Sequence, residues 1–114
     1  MDAEAALAEL TELSAQVETA AVLADDGSVE AATVPEERAA PLAAAAARLL
    51  ESAAGVRPGG PAVSRVEVRL PEGSVFVVTE GERSIAATTV PEPTAGLVVY
   101  DLRTCLRRIG EDDA

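Results

Sequence analysis

The chain has 114 residues, with 20 acidic residues against 9 basic ones, no histidine and a formal net charge of −11. A charge of that sign opposes binding to nucleic acid or to an anionic membrane surface, and no apolar run approaches the roughly 20 residues that span a bilayer. The single cysteine excludes an internal disulfide framework, the length predicts one domain, and the acidic start Met1–Glu4, where a signal peptide would be basic, leads us to expect a cytoplasmic protein.

An amphipathic helix is predicted over residues 3–17. Asp2 stands where an N-cap residue is expected, and glutamates occupy the opposite side of the helix. Four apolar residues recur at helical spacing and share one face: Leu7, Leu10, Leu13 and Val17.

A β-hairpin is predicted next. The runs Thr19–Ala24 and Ser28–Val34 are short, apolar and partly β-branched, and Asp25-Asp26-Gly27 separates them. Asp-Gly between two such runs is a strong hairpin signal, because a tight turn needs positive φ where Asp and Gly tolerate it.

A second helix is predicted over Pro41–Gly55, a stretch rich in alanine. Proline suits a first helical position and glycine a helix end. Its apolar arc of roughly 160° is wider than the usual stripe of about 100°. We expect one part of the arc to cover the domain's own core (Leu42, Ala46, Leu49, Ala53). The other part is nearly all alanine, which lets a second backbone approach closely (Ala43, Ala47, Leu50, Ala54).

A three-stranded meander and a closing helix complete the chain. The predicted strands are Ser64–Leu70, Val75–Thr79 and Ser84–Val90, separated by turns that contain proline or glycine. The last helix is predicted over residues 95–109, with Gly110 as its stop. We therefore predict an α+β domain over residues 1–110, followed by an acidic tail at 111–114. Its order is α-β-β-α-β-β-β-α, with helices on both faces of one mostly antiparallel five-stranded sheet.

Residues that carry chemistry are scarce. Without histidine there is no Ser-His or Cys-His pair and no imidazole metal site. Cys105 lies on the apolar face of the last helix, and Asp25-Asp26 is best explained as turn chemistry. No phosphate-binding loop is present. Arg57, Arg83 and Arg103 are candidate arginine fingers, although surface arginines are usually solvated or ion-paired. We expect no catalytic, cofactor-binding or metal-binding residues, and no enzymatic activity.

The chain resembles the Roadblock family of dynein light chains and bacterial GTPase regulators. The resemblance rests on element order and spacing. Its local matches are Val17–Leu23 followed by Asp25-Asp26-Gly27 and Val29, Glu72–Val78 before Ile85–Ala87, and Ala95–Leu97 leading to Leu106–Ile109. The all-arginine basicity, with much Ala and Val, is typical of a GC-rich bacterial genome.

The resemblance implies a homodimer that joins sheets through Ser64–Leu70 and pairs the second helices, Leu42–Ala54. It also implies a noncatalytic platform for a small Ras-like GTPase, which in some bacterial relatives promotes hydrolysis without inserting a catalytic residue. The interface residues expected are Ala43, Ala47, Leu50, Ala54, Ser64, Arg65, Val66, Glu67 and Val68. The partner-binding residues expected are Arg48, Glu51 and Ser52, with the sheet surface that carries Arg65, Glu67 and Arg69 as the alternative.

A second function class stays open. Profilin-like and PAS-like domains share a central antiparallel sheet, so a small-molecule sensor or another interaction module is the alternative. A sensor needs a lined pocket between sheet and helix, and alanine-rich packing leaves little room for one.

Overall fold

The computed structural model describes residues 1–112 of the chain. Three helices and five strands follow one another in the predicted order. They are α1 (Ala3–Leu13), β1 (Val17–Leu23), β2 (Val29–Ala32), α2 (Glu36–Val56), β3 (Arg65–Leu70), β4 (Gly73–Glu80), β5 (Arg83–Thr89) and α3 (Ala95–Asp112). The predicted α+β class and element order are confirmed.

The five strands form one sheet in the order β2-β1-β5-β4-β3. Every pairing is antiparallel, and β1 lies beside β5 rather than beside β3. The two halves of the chain therefore meet at the middle of the sheet, while β2 and β3 form its two edges.

Helices cover both faces of the sheet. On one face, which we call the α1/α3 face, Phe76 and Ile85 pack with Leu7 and Leu102. On the other, the α2 face, Leu23 and Val77 pack with α2, whose contributing buried residues are Ala43 and Ala46. Four alanines of the central strands, Ala20, Ala21, Ala86 and Ala87, are completely buried. Small side chains at the centre let both helical layers approach closely, so one phenylalanine suffices as the bulky core residue.

The first helix is shorter than predicted. Asp2 is its N-cap as expected, because the carboxylate accepts a hydrogen bond from the Ala5 N–H at 2.8 Å. The helix ends at Leu13, however, and Ser14 is extended with φ −108°. Its hydroxyl accepts a hydrogen bond from Gln16 N–H at 3.3 Å, a local bond that competes with helical structure. The helical placement of Val17 was wrong: Val17 begins β1 opposite Thr89.

The second helix begins earlier than predicted. It runs from Glu36 to Val56, so Pro41 lies inside it and Gly55 does not end it. Acidic residues in the first turn, Glu36 and Glu37, suit the positive end of the helix dipole. Pro41 is exposed, so the carbonyl that loses its helical partner there is in reach of water.

The third helix passes through its predicted stop. Gly110 is helical, and α3 continues to Asp112. The backbone there is right-handed, and solvent surrounds the place where a side chain would stand. Of the predicted acidic tail, 111–112 belong to the helix and 113–114 lie outside the described residues.

Gly73, the first residue of β4, lies very close to the backbone at the end of β5. Its φ of +146° is unfavourable for any side chain, and a Cβ built there would lie 2.0 Å from the Thr89 carbonyl oxygen. The neighbouring Ser74 N–H donates to Thr89 Oγ1 at 3.1 Å. This corner of the sheet therefore requires glycine.

Candidate self-association and partner-binding surfaces

The two sides of α2 have different roles in the fold. Ala39, Ala43 and Ala46 are buried against the sheet, with Ala43 only 8% exposed. The side away from the sheet carries no large apolar residue over its middle turns, and Ala40, Ala44 and Ala47 are exposed there. A surface of small side chains on a helix of 21 residues is suited to close approach by another backbone.

Of the four helix residues expected at a dimer interface, two are exposed and two pack against the chain's own core. Ala47 and Ala54 are exposed and available to a partner. Ala43 is buried in the chain's own core, and Leu50 is half-buried against the α2-face cluster. The available part of α2 is thus rotated away from Ala43, toward Ala40, Ala44 and Ala47. The sequence did not show this because periodicity alone cannot tell which part of a wide apolar arc faces the sheet. The helix also begins at Glu36, which adds Ala40 to the exposed surface.

Strand β3 is an edge strand, paired with β4 alone. Ser64 continues this pairing, because its carbonyl oxygen accepts a hydrogen bond from the Thr79 N–H at 2.9 Å. Antiparallel pairing alternates along the register, so the polar backbone groups of Ser64, Val66 and Val68 point toward β4. Those of Arg65, Glu67 and Arg69 point outward from the sheet, where another strand can pair with them.

The side chains of β3 alternate between the two sheet faces. Val66 stands opposite Val77 and packs toward α2. Glu67 stands opposite Phe76, which belongs to the α1/α3-face core. Arg65, Glu67 and Arg69 therefore lie on the face opposite α2. The two surfaces that the sequence offers to a partner are on opposite sides of the sheet.

An ion pair within β3 holds the Glu67 carboxylate. Arg69 Nε donates to Glu67 Oε2 at 3.0 Å. Arg65, also on this face, is exposed. Of these three β3 residues, Arg65 is the one without an ion pair within residues 1–112, so its charge is available to a neighbouring chain.

The three residues expected to bind a partner share the outer side of α2. Arg48, Glu51 and Ser52 are all exposed, and their spacing of three and four places them together on one helical surface. Neither Arg48 nor Glu51 forms an ion pair within residues 1–112. Both charges remain available to a ligand.

Two of the three candidate finger arginines lie beside glutamates. Arg83 is hydrogen-bonded to one, whereas Arg103 Nε has no hydrogen-bond partner within residues 1–112. Arg83 Nε lies 2.9 Å from Glu30 Oε1, and Arg103 Nε lies 3.9 Å from Glu80 Oε2. Arg107 binds the same Glu80 at 3.0 Å. Arg57 follows the last residue of α2 and is exposed. The surface-ion-pair explanation fits Arg83 and Arg103.

The remaining reactive groups have structural explanations. Burial, with the charge of Glu9, raises the pKa of the Cys105 thiol to about 11, so the thiolate nucleophile is suppressed at neutral pH. Asp26 accepts hydrogen bonds from the Ser28 hydroxyl at 2.6 Å and the Ser28 N–H at 2.9 Å, and these bonds lower the pKa of Asp26. Gly27 follows with φ +86°. The Asp-Asp-Gly segment forms the predicted hairpin turn.

Cavities between the layers are small where helices meet. The space between α1 and α3, bordered by Leu10 and Cys105, has a volume of about 20 Å³, room for about one water. Within residues 1–112 no group of three or more acidic or cysteine side chains is placed to hold a metal ion. No helix of that same region is long and apolar enough to cross a membrane.

One family model matches most of the chain, and solved structures share its fold. The sequence profile described as the Roadblock/LC7 domain matches residues 4–89. A Roadblock/LC7 domain structure from Streptomyces avermitilis is similar with TM-score 0.85, at 24% identity over 97% of each chain. MglB from Myxococcus xanthus gives TM-score 0.70 at 15% identity, covering 96% of this chain and 88% of its own.

MglC from Myxococcus xanthus gives TM-score 0.68 at 13% identity, covering 98% of this chain and 99% of its own. No curated protein matches. At these identities the solved structures show a shared fold, and the profile covers most of the sequence. The chain belongs to the Roadblock/LC7 domain family.

Proposed function

We propose that this protein is a noncatalytic homodimeric scaffold that binds a small Ras-like GTPase in the cytoplasm. The observation that carries the proposal is the free edge of β3, with outward backbone groups at Arg65, Glu67 and Arg69, beside a helix with an exposed small-residue surface. Family membership supplies the GTPase, because the bacterial members that the sequence resembles regulate such enzymes.

In the proposed dimer, β3 pairs antiparallel with its copy around a two-fold axis near Val66. Arg65 then faces Glu67 of the other protomer, and the outward groups of both residues form the hydrogen bonds of the new ladder. Opposite charges facing each other across strands contribute about 0.2–1 kcal/mol per pair. Glu67 already binds Arg69. Arg65 of the other protomer would therefore add a second arginine to an existing ion pair.

An axis at Glu67 is disfavoured by charge. It would place two Glu67 carboxylates opposite one another, and like charges directly opposed destabilise a strand pair. The register proposed here avoids that contact. It also brings the exposed alanine surfaces of the two α2 helices to the same side of the joined sheet.

The partner surface proposed is the outer side of the paired α2 helices, around Arg48, Glu51 and Ser52. These side chains are exposed and their charges are unpaired within the described region. The protein itself would contribute no catalytic group. Arg83 is hydrogen-bonded to Glu30 and Arg103 lies near Glu80, whereas Arg57 is exposed. The resemblance implies that any acceleration of hydrolysis would come from ordering the GTPase's own residues.

Copurification tests the proposal. The protein is isolated from its source cell, and any bound GTPase is identified and assayed for affinity in both nucleotide states. We expect a dimer of about twice the 11.6 kDa chain mass that binds one nucleotide state better than the other. A copurified metabolite, with no binding to the GTPase in either state, would support the sensor alternative instead.

Arg48→Ala tests the partner surface, with Arg38→Ala as its matched control near the other end of the same helix. Both arginines are exposed, so neither substitution should affect folding. We expect Arg48→Ala to weaken GTPase binding while Arg38→Ala leaves it within twofold. Equal effects would contradict the proposed surface.

A further inference from the structure

A recess opens at the C-terminal end of α2, on the α2 face of the sheet. Its volume is about 320 Å³, within the range of small ligand sites. Its floor is the hydroxyl pair of Thr79 and Ser84, whose oxygens lie 2.9 Å apart. Apolar side chains form the walls, from α2 on one side and from the segment before β3 on the other: Leu50, Ala54, Ala62 and Val63.

Two carboxylates, Asp25 and Glu82, border the recess. Asp25 follows β1 and Glu82 lies in the turn between β4 and β5, so two separate parts of the chain contribute carboxylates to the recess. Both are exposed, and neither forms an ion pair within residues 1–112. The C-terminal end of α2 adds to the negative potential, since its last turn contains no basic residue.

We propose that this recess binds an arginine side chain presented by a partner polypeptide. The aliphatic stem would pack on Leu50, Ala54 and Val63, as long basic side chains do when they cover apolar surface. The guanidinium would then lie between Asp25 and Glu82. Its five donors and weak hydration suit a site with several acceptors and apolar walls better than a lysine ammonium does.

The charge of the whole chain favours the same occupant. A net charge of −11 attracts a basic segment from a distance and raises its association rate. Neither Arg48, in α2, nor Arg57, directly after it, lines the recess. The recess also adjoins the outer side of α2, since Ala54 is one turn from Glu51. This inference concerns the chemistry of the occupant and does not depend on the partner being a GTPase.

The test is an NMR titration of the full ¹⁵N-labelled chain with acetyl-Gly-Arg-Gly-amide. Two further peptides replace the arginine by lysine or by citrulline, which keeps the shape and removes the charge. We expect the arginine peptide to shift amide signals of Leu50, Ala54 and Val63, with binding at least threefold tighter than the lysine peptide. Citrulline should bind at least tenfold more weakly than arginine.

Two double variants test whether Asp25 and Glu82 supply the negative charge that binds the arginine peptide. Asp25→Asn with Glu82→Gln should weaken arginine binding at least tenfold. Glu4→Gln with Glu12→Gln changes the net charge equally at exposed α1 positions, and should leave the affinity within twofold. Equal binding of the citrulline peptide, equal loss in both double variants, or no saturable shifts at the recess would each overturn the proposal.

Discussion

Ala43 and Ala47 lie one turn apart on α2. Substitutions at these two positions distinguish an effect on folding from an effect on assembly. Ala43 is 8% exposed and packs on the sheet, whereas Ala47 is exposed. A glutamate at position 43 would place a carboxylate without a partner in the core. This destabilises the protomer by about 3–5 kcal/mol, a large part of a domain's stability. At position 47 the same glutamate should change protomer stability by less than about 0.5 kcal/mol.

The expected effect of Ala47→Glu on the proposed dimer is much larger. Packed helix axes lie about 8–10 Å apart, so two new carboxylates facing each other at about 8 Å repel by about 2 kcal/mol at an effective dielectric constant of about 20. That repulsion weakens the dimer about thirtyfold, and the bulk of the side chain weakens it further.

Light scattering and urea unfolding measure the two effects separately. Ala47→Glu should shift the molar mass from about twice toward once 11.6 kDa at micromolar concentration, while the protomer retains its circular dichroism spectrum. Ala43→Glu should lower the unfolding midpoint at every protein concentration. An Ala47→Glu variant that keeps the wild-type dimer affinity would refute the proposed helix pairing. A stable Ala43→Glu protomer would refute the packing of α2 on the sheet.

Further predictions concern the sheet, its edge and the thiol. Gly73→Ala should destabilise the fold by about 3 kcal/mol in urea, because the new Cβ meets the Thr89 carbonyl at 2.0 Å. Gly110→Ala, helical with open space around it, should stabilise by about 0.5 kcal/mol. Glu67→Pro removes an outward N–H and should weaken the dimer in light scattering, whereas Val66→Pro removes a bond to β4 and should lower protomer stability. Cys105 should react with a thiol reagent at pH 8 only after unfolding, since burial raises its pKa to about 11. Because an unfolded thiol has a pKa of about 8.5, the thiol's contribution to stability is present below that pH and is lost as pH rises toward 11. Rapid labelling of the folded protein would contradict the burial of this thiol.

Strand and helix identities follow from local patterns that the fold preserves. The strand over Arg65–Leu70 and the Asp-Asp-Gly turn both appear as predicted. Those local patterns could not predict the order of the strands in the sheet. The contact of β1 with β5 joins residues about 65 positions apart, and only the combined burial of both helical layers selects it.

Predicted helix boundaries were wrong where Pro41 was taken as a start and Gly55 and Gly110 as stops. Pro41 is helical because Ala39 and Ala43 on either side of it are buried against the sheet, which offsets its unfavourable propensity. Gly110 is helical directly after the buried Ile109. The error at Pro41 had a consequence for the candidate site. With α2 beginning at Glu36, the surface left free by the core includes Ala40 and Ala44, which the sequence interpretation did not include. The recess beside Asp25 and Glu82 was also missed, because its borders come from distant segments.

The two edges of the sheet differ in length and regularity, which limits how many copies of the chain can pair edge to edge. β3 has 6 residues, whereas β2 has 4 and is interrupted by an irregularity in its register with β1. Pairing through β3 would leave the two β2 strands outermost, and a short, irregular edge is a poor template for another strand. A chain with two long edges would extend into fibres. In the proposed dimer, the sheet edges left for a third copy would be the short, irregular β2 strands.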